Sequence, residues 1–423
     1  MTAVRAPSPG KFVFVNRFFD PDESATSQLL TDLTRDLAAA GLPVHVVCSR
    51  QLYTDAAAGL AARQMLHGVA VHRVATTRFG RSGLAGRFLD YATFYLSAGW
   101  TLLRLLDARD LVIAKTDPPF ISIIAASCAW LKGARLVNWQ QDVFPEVASR
   151  LAVNPLPQWL DETLCRLRDW SLRRAQTNVV LGSRMLEYFE RRGIGLSQLR
   201  IIENWADPDG ISPKSVAEST LRAQLRLTGK FVVCYSGNLG RAHEFETLVA
   251  AAELLRDEPS VIFLIIGGGA KMESLQRATR QQQLESFLFL PYQPRTALAD
   301  SLAAGDVHLV SLLPSLEGLI LPSKLYGIMA AGRPLIFIGD ADGEIARVIG
   351  EAECGITAAV NDATTVAAAI IRLKLNTESR IAMGGRAREF FLDRYARDKA
   401  VKKWLVTLNA SGSGSGAEPN GSG

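Results

Sequence analysis

The sequence predicts an α/β protein built from two Rossmann-like, doubly wound domains that face each other across a cleft. Short apolar strands alternate with helical stretches from Lys11 onward, and the same alternation restarts at Lys230. A segment rich in Pro, Asp and Gly, IIENWADPDGISPKS, separates the two runs. The length of 423 residues is enough for two domains of roughly 200 residues each. Ligands bind such sheets beyond the carboxyl ends of the strands, so the loops after each strand are the candidate site.

The first domain, residues 1–205, opens with a β-α-β unit. KFVFVN is a β-rich apolar run, and VHVVCS is the next strand. Between them, LLTDLTRDLAAAGLP places leucines on one helical face, with Gly41 at the C-cap. Further strands are predicted at 68–74, 111–114, 135–139 and 177–181.

The second domain, residues 206–385, repeats this pattern. Strands are predicted for FVVCYSG, SVIFLIIGGG, SFLFLP, VHLVSLLP and LIFIGD, and a helix for FETLVAAAELLRD. One more helix is predicted over residues 386–409, long enough to pack back toward the first domain. Residues 410–423 have the Gly/Ser-rich composition of a flexible tail, with nothing to bury.

Charge is distributed unevenly along the chain. Residues 1–205 contain 24 Lys and Arg against 18 Asp and Glu, whereas the remainder contains 23 against 24. A basic first domain suits an anionic partner, such as nucleic acid, a phosphate-bearing acceptor or acidic lipid. A merely solvated basic face is the alternative.

The cysteines and the apolar runs indicate a cytoplasmic protein. The five cysteines are far apart and lie mostly in apolar runs, which predicts buried free thiols in a reducing compartment. The N-terminus shows no secretory h-region, and no apolar run reaches the ~20 residues of a membrane-spanning helix.

Nothing in the loops indicates a cofactor or a metal. The first strand is followed by NRFFD in place of a G-x-G-x-x-G motif, which argues against a nicotinamide-dependent dehydrogenase. Three D-x-D triplets, at 20–22, 207–209 and 340–342, contain residues that favour turns, so turn chemistry is the preferred interpretation over metal binding. The five histidines show no ligand spacing.

Two glycine-containing loops are candidates for binding a nucleotide. Gly237-Asn238-Leu239-Gly240-Arg241 joins a strand to a helix, where free backbone amides and the helix dipole favour phosphate. A tight turn that needs glycine only for its backbone angles is the alternative. Gly267-Gly268-Gly269 ends the next strand and either admits a base or ribose closely or forms a flexible turn.

The stretch LEGLILPSKLYGIMAAGRP places one carboxylate and one lysine at the start of an apolar helix. Pro322 begins the helix, and Ser323 and Lys324 lie in its first turn. A lysine there is unfavourable by a few tenths of a kcal/mol, roughly, unless an anion binds beside it. Glu317, just before, is suited to accept hydrogen bonds from sugar hydroxyls.

These segments resemble a known family. PSLEGLILPSKLYGIMAAGRPLIFIGDADGEIARVI and YSGNLGRAHEFETLVAAAELL resemble the donor-binding half of family 4 glycosyltransferases of the GT-B fold, in the bacterial O-antigen, capsule and colanic-acid branch. TDPPF, WQQDVFPE and IIENWAD are similar to the other half. The resemblance implies metal-independent, retaining sugar transfer from a nucleotide-diphosphate sugar to a saccharide acceptor, often linked to polyprenyl diphosphate. It implies no cofactor and no nucleic-acid partner.

The resemblance also implies roles for individual residues. The catalytic roles fall on Glu317, Lys324, Arg241 and Asp142. The donor-binding roles fall on Gly237, Asn238, Gly240, Gly268, Tyr292, Gly318, Leu319 and Ser323. The acceptor-binding roles fall on Arg17, Asp117, Gln141 and Glu146.

Three departures from the family pattern stand out. Gly327 occupies the place of the second glutamate of the family's E-x7-E motif, the usual ribose ligand. Asn238 and His243 stand where the family often has an arginine and a lysine. The usual His-Asp pair is Gln141-Asp142 here. Two rival functions therefore remain open, a nucleotide-sugar 2-epimerase of the same fold and a non-catalytic module that binds nucleotide sugars.

Residues 78–106 combine basic and aromatic side chains. The basic ones are Arg78, Arg81 and Arg87, and the aromatic ones are Phe88, Tyr91, Phe94, Tyr95 and Trp100. Such a stretch suits peripheral contact with an anionic membrane, and the resemblance favours the inner face of the cytoplasmic membrane. A core helix with an arginine-bearing loop is the alternative.

Overall fold

The computed structural model describes residues 10–53, 55, 57–79, 84–152 and 157–412. Within them the chain forms two α/β units, each built on one mainly parallel sheet. The predicted fold class, two doubly wound domains, is confirmed.

The first sheet has eight strands among the described residues. In chain order they are β1 (Phe12–Val15), β2 (Val44–Ser49), β3 (Arg63–Leu66), β4 (Val69–Val74), β5 (Leu111–Lys115), β6 (Arg135–Trp139), β7 (Thr177–Val180) and β8 (Leu199–Ile201). Their spatial order is β3-β4-β2-β1-β5-β6-β7-β8, and only β3 runs antiparallel to its neighbour. The helices of this unit are α1 (Ala25–Ala39), α2 (Leu84–Leu105), α3 (Ile121–Lys132), α4 (Glu146–Arg150), α5 (Gln158–Arg174) and α6 (Ser183–Arg191).

The second sheet is parallel throughout its six described strands. They are β9 (Phe231–Asn238), β10 (Val261–Gly268), β11 (Phe287–Leu290), β12 (Val307–Ser311), β13 (Leu335–Ile338) and β14 (Gly355–Ala358), in the spatial order β11-β10-β9-β12-β13-β14. The helices are α7 (Thr220–Gln224), α8 (Glu246–Leu254), α9 (Met272–Gln281), α10 (Leu298–Ala303), α11 (Lys324–Ala330), α12 (Glu344–Ala352), α13 (Ala363–Leu375), α14 (Thr377–Arg394) and α15 (Arg397–Gly412).

Each strand predicted from an apolar run is confirmed to within about three residues, and three further strands were not predicted. These are β3, β8 and β14, and all three lie at an edge of their sheet. β3 is largely exposed, β8 has three residues, and β14 begins with a glycine. Short edge strands bury too few side chains to produce a clear apolar pattern.

The predicted single helix over 386–409 is wrong, because the structure has two helices there. α14 ends at Arg394 and α15 begins at Arg397. Ala396 between them pairs in a β-bridge with Ala206, and the Tyr395 ring packs edge-on against Tyr326. These are contacts with distant parts of the chain, so no local pattern indicates the break. The tail beyond Gly412 lies outside the described residues.

Two apolar clusters join the domains. Helix α15 inserts Trp404 into the core of the first domain, 4.8 Å from the Trp139 ring centroid, and Trp205 stacks on Trp139 at 5.8 Å. A second cluster packs Val143 and Met185 of the first domain against residues around β12, α11 and α12. The carboxyl ends of the two sheets are therefore held close together.

Candidate active site

The carboxyl edges of the two sheets meet through direct hydrogen bonds. The Val143 amide donates to the Leu319 carbonyl at 2.9 Å. At the N-terminus of α6, the Ser183 hydroxyl and the Arg184 amide donate to one carboxylate oxygen of Glu344, at 2.8 and 3.0 Å. The loops that the sequence singles out thus lie at one junction between the domains.

On the donor side, glycines let three loops approach each other. Gly237 has φ +126°, and a Cβ there would lie 2.9 Å from Lys324 Cε. Gly267 has φ +130°, and its Cβ would lie 2.2 Å from the Gly237 carbonyl oxygen. At Gly268 a Cβ would lie 3.0 Å from the Tyr292 ring. The backbone angles disfavour larger residues at Gly237 and Gly267, and at Gly267 the approach of a backbone oxygen excludes them as well, so these two glycines have a structural reason whether or not a nucleotide binds.

Lys324 reaches from the first turn of α11 to the end of β9. Its Nζ donates to the Asn238 carbonyl at 3.0 Å and lies 3.1 Å from Nε2 of His243. The ammonium sits 4.9 Å from the centroid of the Tyr235 ring. Burial lowers the pKa of this lysine to about 7, because no opposite charge compensates for lost solvation.

His243 is buried behind Lys324. Its Nδ1 lies 2.6 Å from the Ser311 carbonyl, which can only accept, so Nδ1 carries the hydrogen and Nε2 is an acceptor. Burial, followed by the nearby Lys324, lowers the pKa of His243 to about 3. The imidazole is therefore neutral at physiological pH.

Glu317 lies across the junction from the first domain. Its Oε1 accepts a hydrogen bond from the Glu344 amide at 2.8 Å, at the N-terminus of α12. Burial raises the pKa of Glu317, with repulsion from Glu344 and Asp340 adding to it, while the Glu344 amide acts in the opposite direction. The next residue, Gly318, has φ +74°, and a Cβ there would lie 2.9 Å from the Arg184 carbonyl oxygen.

The remaining donor-side candidates surround this pair. The Tyr292 hydroxyl lies 3.5 Å from Oδ1 of Asn238, and Gly240 is close enough that a Cβ would lie 3.2 Å from Nδ2 of the same residue. Arg241 is exposed in the turn after β9, Ser323 is exposed at the start of α11, and Leu319 is buried. Arg241 and Ser323 thus remain accessible to a ligand.

On the first domain, two half-buried carboxyls follow β5 and β6. Burial raises the pKa of Asp117 to about 6, and it raises that of Asp142 to about 6 with a further contribution from Asp117. Lys115 opposes both shifts. Its Nζ donates to the Thr26 carbonyl at 2.8 Å and lies 3.8 Å from the Trp139 ring centroid. Burial holds the pKa of Lys115 well below its usual range.

Two acceptor-side candidates already have protein partners. The Glu146 carboxylate makes two hydrogen bonds to the Arg168 guanidinium, at 2.6 and 3.1 Å, and accepts another from the Tyr188 hydroxyl. The Gln141 amide exchanges hydrogen bonds with the Asn204 amide, at 3.0 and 2.9 Å. In this conformation both side chains stabilise the domain, and their acceptor roles stay predictions.

Arg17 is likewise enclosed. Its guanidinium lies 3.6 Å from the Asp90 carboxylate and 5.0 Å from the Phe18 and Tyr91 ring centroids. Its backbone amide donates to the Asp117 carbonyl, which joins the loops after β1 and β5. The positive charge of the Arg17 guanidinium therefore lowers the pKa of the Asp117 carboxyl.

Comparison with known proteins identifies the family. The model for "Glycosyl transferase 4-like domain" matches residues 26–205, and that for "Glycosyl transferases group 1" matches residues 217–390. The chain belongs to the group 1 glycosyltransferases. The resemblance to glycosyltransferases seen in the sequence is confirmed, and so is the prediction that the protein is an enzyme of this class.

Individual relatives agree with this assignment. The chain is 27% identical over 300 residues to "Probable glycosyltransferase WbjE" of Pseudomonas aeruginosa, covering 71% of this chain and 74% of that one. It is 30% identical over 269 residues to WcaI of Escherichia coli strain K12, whose name describes a colanic acid biosynthesis glycosyl transferase, covering 62% and 65%. The solved structure of Anabaena Alr3699/HepE in complex with UDP and glucose matches with a TM-score of 0.73 at 16% identity, covering 95% of this chain and all of that one.

Some site residues of this glycosyltransferase are absent from the sequence-based prediction. Lys115 is the one charged residue of β5, LVIAK, and that position was the only local signal for it. His243 was noted only as a departure from the family pattern. Glu344 and Thr26 contact Glu317 and Lys115 through backbone atoms, so side-chain identity gives no signal for these two contacts.

The Asp triplets adopt turns. Asp207 and Asp340 each accept a hydrogen bond on Oδ1 from the amide two residues later, at 3.1 and 2.9 Å, and Asp22 does the same with Ser24 at 2.9 Å. The interpretation of these triplets as turn chemistry is confirmed. The five cysteines are buried and unpaired, as predicted.

Helix α2 has one buried and one exposed face. Phe94 lies in the core, whereas Phe88, Leu96 and Trp100 are 71%, 75% and 59% exposed. Tyr95 turns inward and donates to the Pro119 carbonyl. Arg81 lies outside the described residues. Among the helices of the described chain, none is long and apolar enough to cross a membrane.

Proposed function

We propose that the protein is a retaining, metal-independent glycosyltransferase. It moves a sugar from a nucleoside-diphosphate donor, bound on the second domain, to a saccharide linked to polyprenyl diphosphate. The observation that carries the proposal is Lys324, a half-buried amine without a carboxylate partner among the described ion pairs, at a glycine-lined strand edge. The complex of the HepE structure with UDP and glucose supports this type of donor.

The donor side supplies the charge that the reaction requires. Breaking the bond between the sugar and the diphosphate builds negative charge on the departing phosphate oxygen. Lys324, the exposed Arg241 and backbone amides of the glycine loops stabilise that charge. Because two side chains provide the cations, we propose that the transfer uses no bound metal.

Glu317 orients the donor sugar. One of its oxygens is held by the Glu344 amide, so the carboxylate has a fixed direction while its other oxygen can accept from a sugar hydroxyl. This is a positioning effect, which favours the reactive geometry without forming a covalent bond to the protein. The same contact links the donor loop to α12, which touches the first domain.

Asp117 and Asp142 bind the acceptor. Two neighbouring carboxyls suit neutral sugar hydroxyls and repel phosphate, so the acceptor sugar lies at this edge and its diphosphate lies elsewhere. In a retaining transfer the departing phosphate oxygen takes the proton of the acceptor hydroxyl as the new bond forms on the same face. Asp142 then orients the hydroxyl and need not act as a base.

We propose that α2 contacts the inner face of the cytoplasmic membrane, where a polyprenyl-linked acceptor is presented. The exposed Phe88, Leu96 and Trp100 form an apolar face, with Arg104 stacked 4.4 Å from the Trp100 ring centroid. Arg87 is exposed on the first turn of the same helix. Aromatic side chains beside arginines suit the headgroup region of an anionic bilayer. The name of WcaI supports a role in bacterial surface polysaccharide synthesis.

A transfer assay tests the reaction. The protein is incubated with UDP-, GDP-, dTDP- and ADP-sugars and a lipid extract as acceptor, and the anomeric configuration of the product is read by NMR. Lys324→Ala should reduce transfer strongly. Lys230→Ala is the matched control, because Lys230 also donates to a backbone carbonyl but at the amino end of β9. An inverted product would contradict the retaining reaction, and conversion of a donor without acceptor would indicate an epimerase.

A vesicle assay tests the membrane contact. The protein should sediment with vesicles containing anionic lipid and less with neutral ones, and a Phe88→Ser, Trp100→Ser double variant should lose most of this binding. The matched control is Leu375→Ser, which changes an equally exposed apolar residue of the second domain. Equal sedimentation of all three proteins would contradict the proposed surface.

A further inference from the structure

The amine of Lys324 is held by neutral acceptors. Nζ contacts the Asn238 carbonyl and His243 Nε2, and the Tyr235 ring lies beneath it. Lys324 takes part in no ion pair among the described residues. A neutral amine has two N–H donors, and these two acceptors satisfy both of them. The ammonium form carries a third hydrogen, for which the described residues provide no acceptor.

His243 accepts a hydrogen bond from Lys324 only as the tautomer that carries its hydrogen on Nδ1. The Ser311 carbonyl requires a hydrogen on Nδ1, so the lone pair of Nε2 faces the lysine. The edge of the ring packs against Tyr235, with centroids 5.9 Å apart, so it has little freedom to turn. A lysine at position 243, as in the family pattern, would be a second cation here, and the imidazole is instead a neutral acceptor.

We propose that binding of a nucleotide sugar is coupled to the uptake of one proton by Lys324, with His243 as the positioning residue that holds the amine for the incoming diphosphate. The inference rests on the proposed function and deepens it. The diphosphate supplies the missing acceptor and the opposite charge. The proton comes from solvent and ends on Nζ, and no bond to the donor is made or broken in this step.

His243 and Tyr235 do not produce the same effect between pH 6.5 and 9. The pKa of His243 is about 3, and burial raises that of Tyr235 far above this range. Further charged or titratable residues on the described loops of the donor side are Arg241, Glu244, Lys271, Tyr292 and Glu317. Burial raises the pKa values of Glu244 and Glu317, and the Lys271 ammonium lies 5.4 Å from the Phe245 ring centroid.

The sign of the effect follows from linkage. The free protein binds the proton on Lys324 weakly, with a pKa of about 7, and the complex binds it tightly. Affinity for the donor is therefore highest below pH 7, and it falls by up to about tenfold per pH unit as the pH rises above that value. A nucleotide sugar is the correct probe. A free nucleoside diphosphate has a terminal phosphate with a pKa of about 6, so its own titration would add to the pH dependence.

The experiment is calorimetric titration of the full chain with UDP-glucose, and with the other nucleotide sugars of the panel, at half-unit steps from pH 6.5 to 9. At pH 8 it is repeated in phosphate and in Tris, whose ionisation enthalpies differ, to count protons. We expect the dissociation constant to rise about tenfold between pH 7.5 and 8.5, with close to one proton taken up at pH 8. Lys324→Arg should remove the pH dependence, because the guanidinium stays charged throughout.

Variants at His243 test the positioning role. His243→Phe removes an acceptor from the ammonium and should move the midpoint of the pH dependence to lower pH. His243→Gln provides an amide oxygen in place of Nε2 and should return the midpoint toward that of the wild type. A merely structural role would change affinity equally at every pH.

The outcomes separate this inference from the proposed function. Tight binding that is flat with pH, without proton uptake, would overturn the inference and leave the glycosyltransferase proposal intact. No binding of any nucleotide sugar at any pH would overturn both. If the variants do not fold, the proton count on the wild-type protein still decides the question.

Discussion

Asp142 should reduce the stability of the protein at neutral pH. Its pKa rises from 3.8 to about 6 on folding, because burial and the neighbouring Asp117 disfavour the charged form. Two pKa units correspond to about 3 kcal/mol at pH 7.5. Because Asp142 is half-buried at the junction and solvent screens part of this effect, we expect Asp142→Asn to raise the free energy of unfolding by about 1–2 kcal/mol.

The gain in stability from Asp142→Asn should depend on pH. A carboxyl whose pKa is raised on folding costs stability above its folded pKa, and this cost disappears as the pH falls below its unfolded pKa. In urea unfolding, the gain from Asp142→Asn should therefore be largest at pH 7.5 and shrink to about a third at pH 4.5. A gain independent of pH, or a loss at pH 7.5, would refute the argument.

Glu146, four residues away, provides a control of opposite sign. Its hydrogen bonds to Arg168 outweigh burial and hold its pKa below the usual range. Glu146→Gln removes the charge of the main partner of the Arg168 guanidinium, which keeps Asp169 at 2.7 Å, so we expect a loss of about 1–3 kcal/mol. The destabilisation should be present at pH 7.5 and decrease as the pH falls through the carboxyl range.

Three further changes probe the fold and the donor loop. Trp404→Ala should lower the free energy of unfolding by about 3–5 kcal/mol in urea titrations, because it leaves a cavity where the indole packs against the first domain. Val406→Ala, on the exposed side of α15, should change the free energy of unfolding by less than about 0.5 kcal/mol. Gly237→Ala should weaken nucleotide-sugar binding in calorimetry at least about tenfold, since φ +126° and the 2.9 Å approach to Lys324 Cε leave no room for a methyl group; binding within twofold of wild type would contradict this. Gly385 lies inside α14, and a Cβ there would have no atom within 4 Å. Gly385→Ala should therefore raise the thermal midpoint, with a gain in the free energy of unfolding of about 0.5–1 kcal/mol.

Much of the fold is readable from the sequence because the strands of both sheets are buried. β5 and β12 are buried at each position and are mostly apolar in sequence, whereas β3 is mostly exposed and shows no such run. The break at Tyr395 depends on a β-bridge to Ala206, some 190 residues earlier in the chain. Local patterns record burial well and long-range pairing poorly.

The site was predicted in parts. The sequence alone indicates Lys324, because a lysine is unfavourable at the start of an apolar helix, and it indicates the glycine loops, because glycines between a strand and a helix allow a close approach to phosphate. It does not indicate that His243 and Lys324 meet, because they lie on different loops. Resemblance assigned acceptor roles to Gln141 and Glu146, and the structure gives these side chains partners in Asn204 and Arg168, which only the folded chain brings together.

The docking of α15 on the first domain affects the order in which the protein can assemble during synthesis. Trp139 and Trp205 are covered by Trp404, and Arg397 binds Asp32 and Asp36 on α1, more than 350 positions upstream. The first domain therefore leaves the ribosome long before its core can close, and the whole second domain is made in the interval. Until α15 is made, Trp139 lacks its contact with Trp404, and this part of the first-domain core stays uncovered.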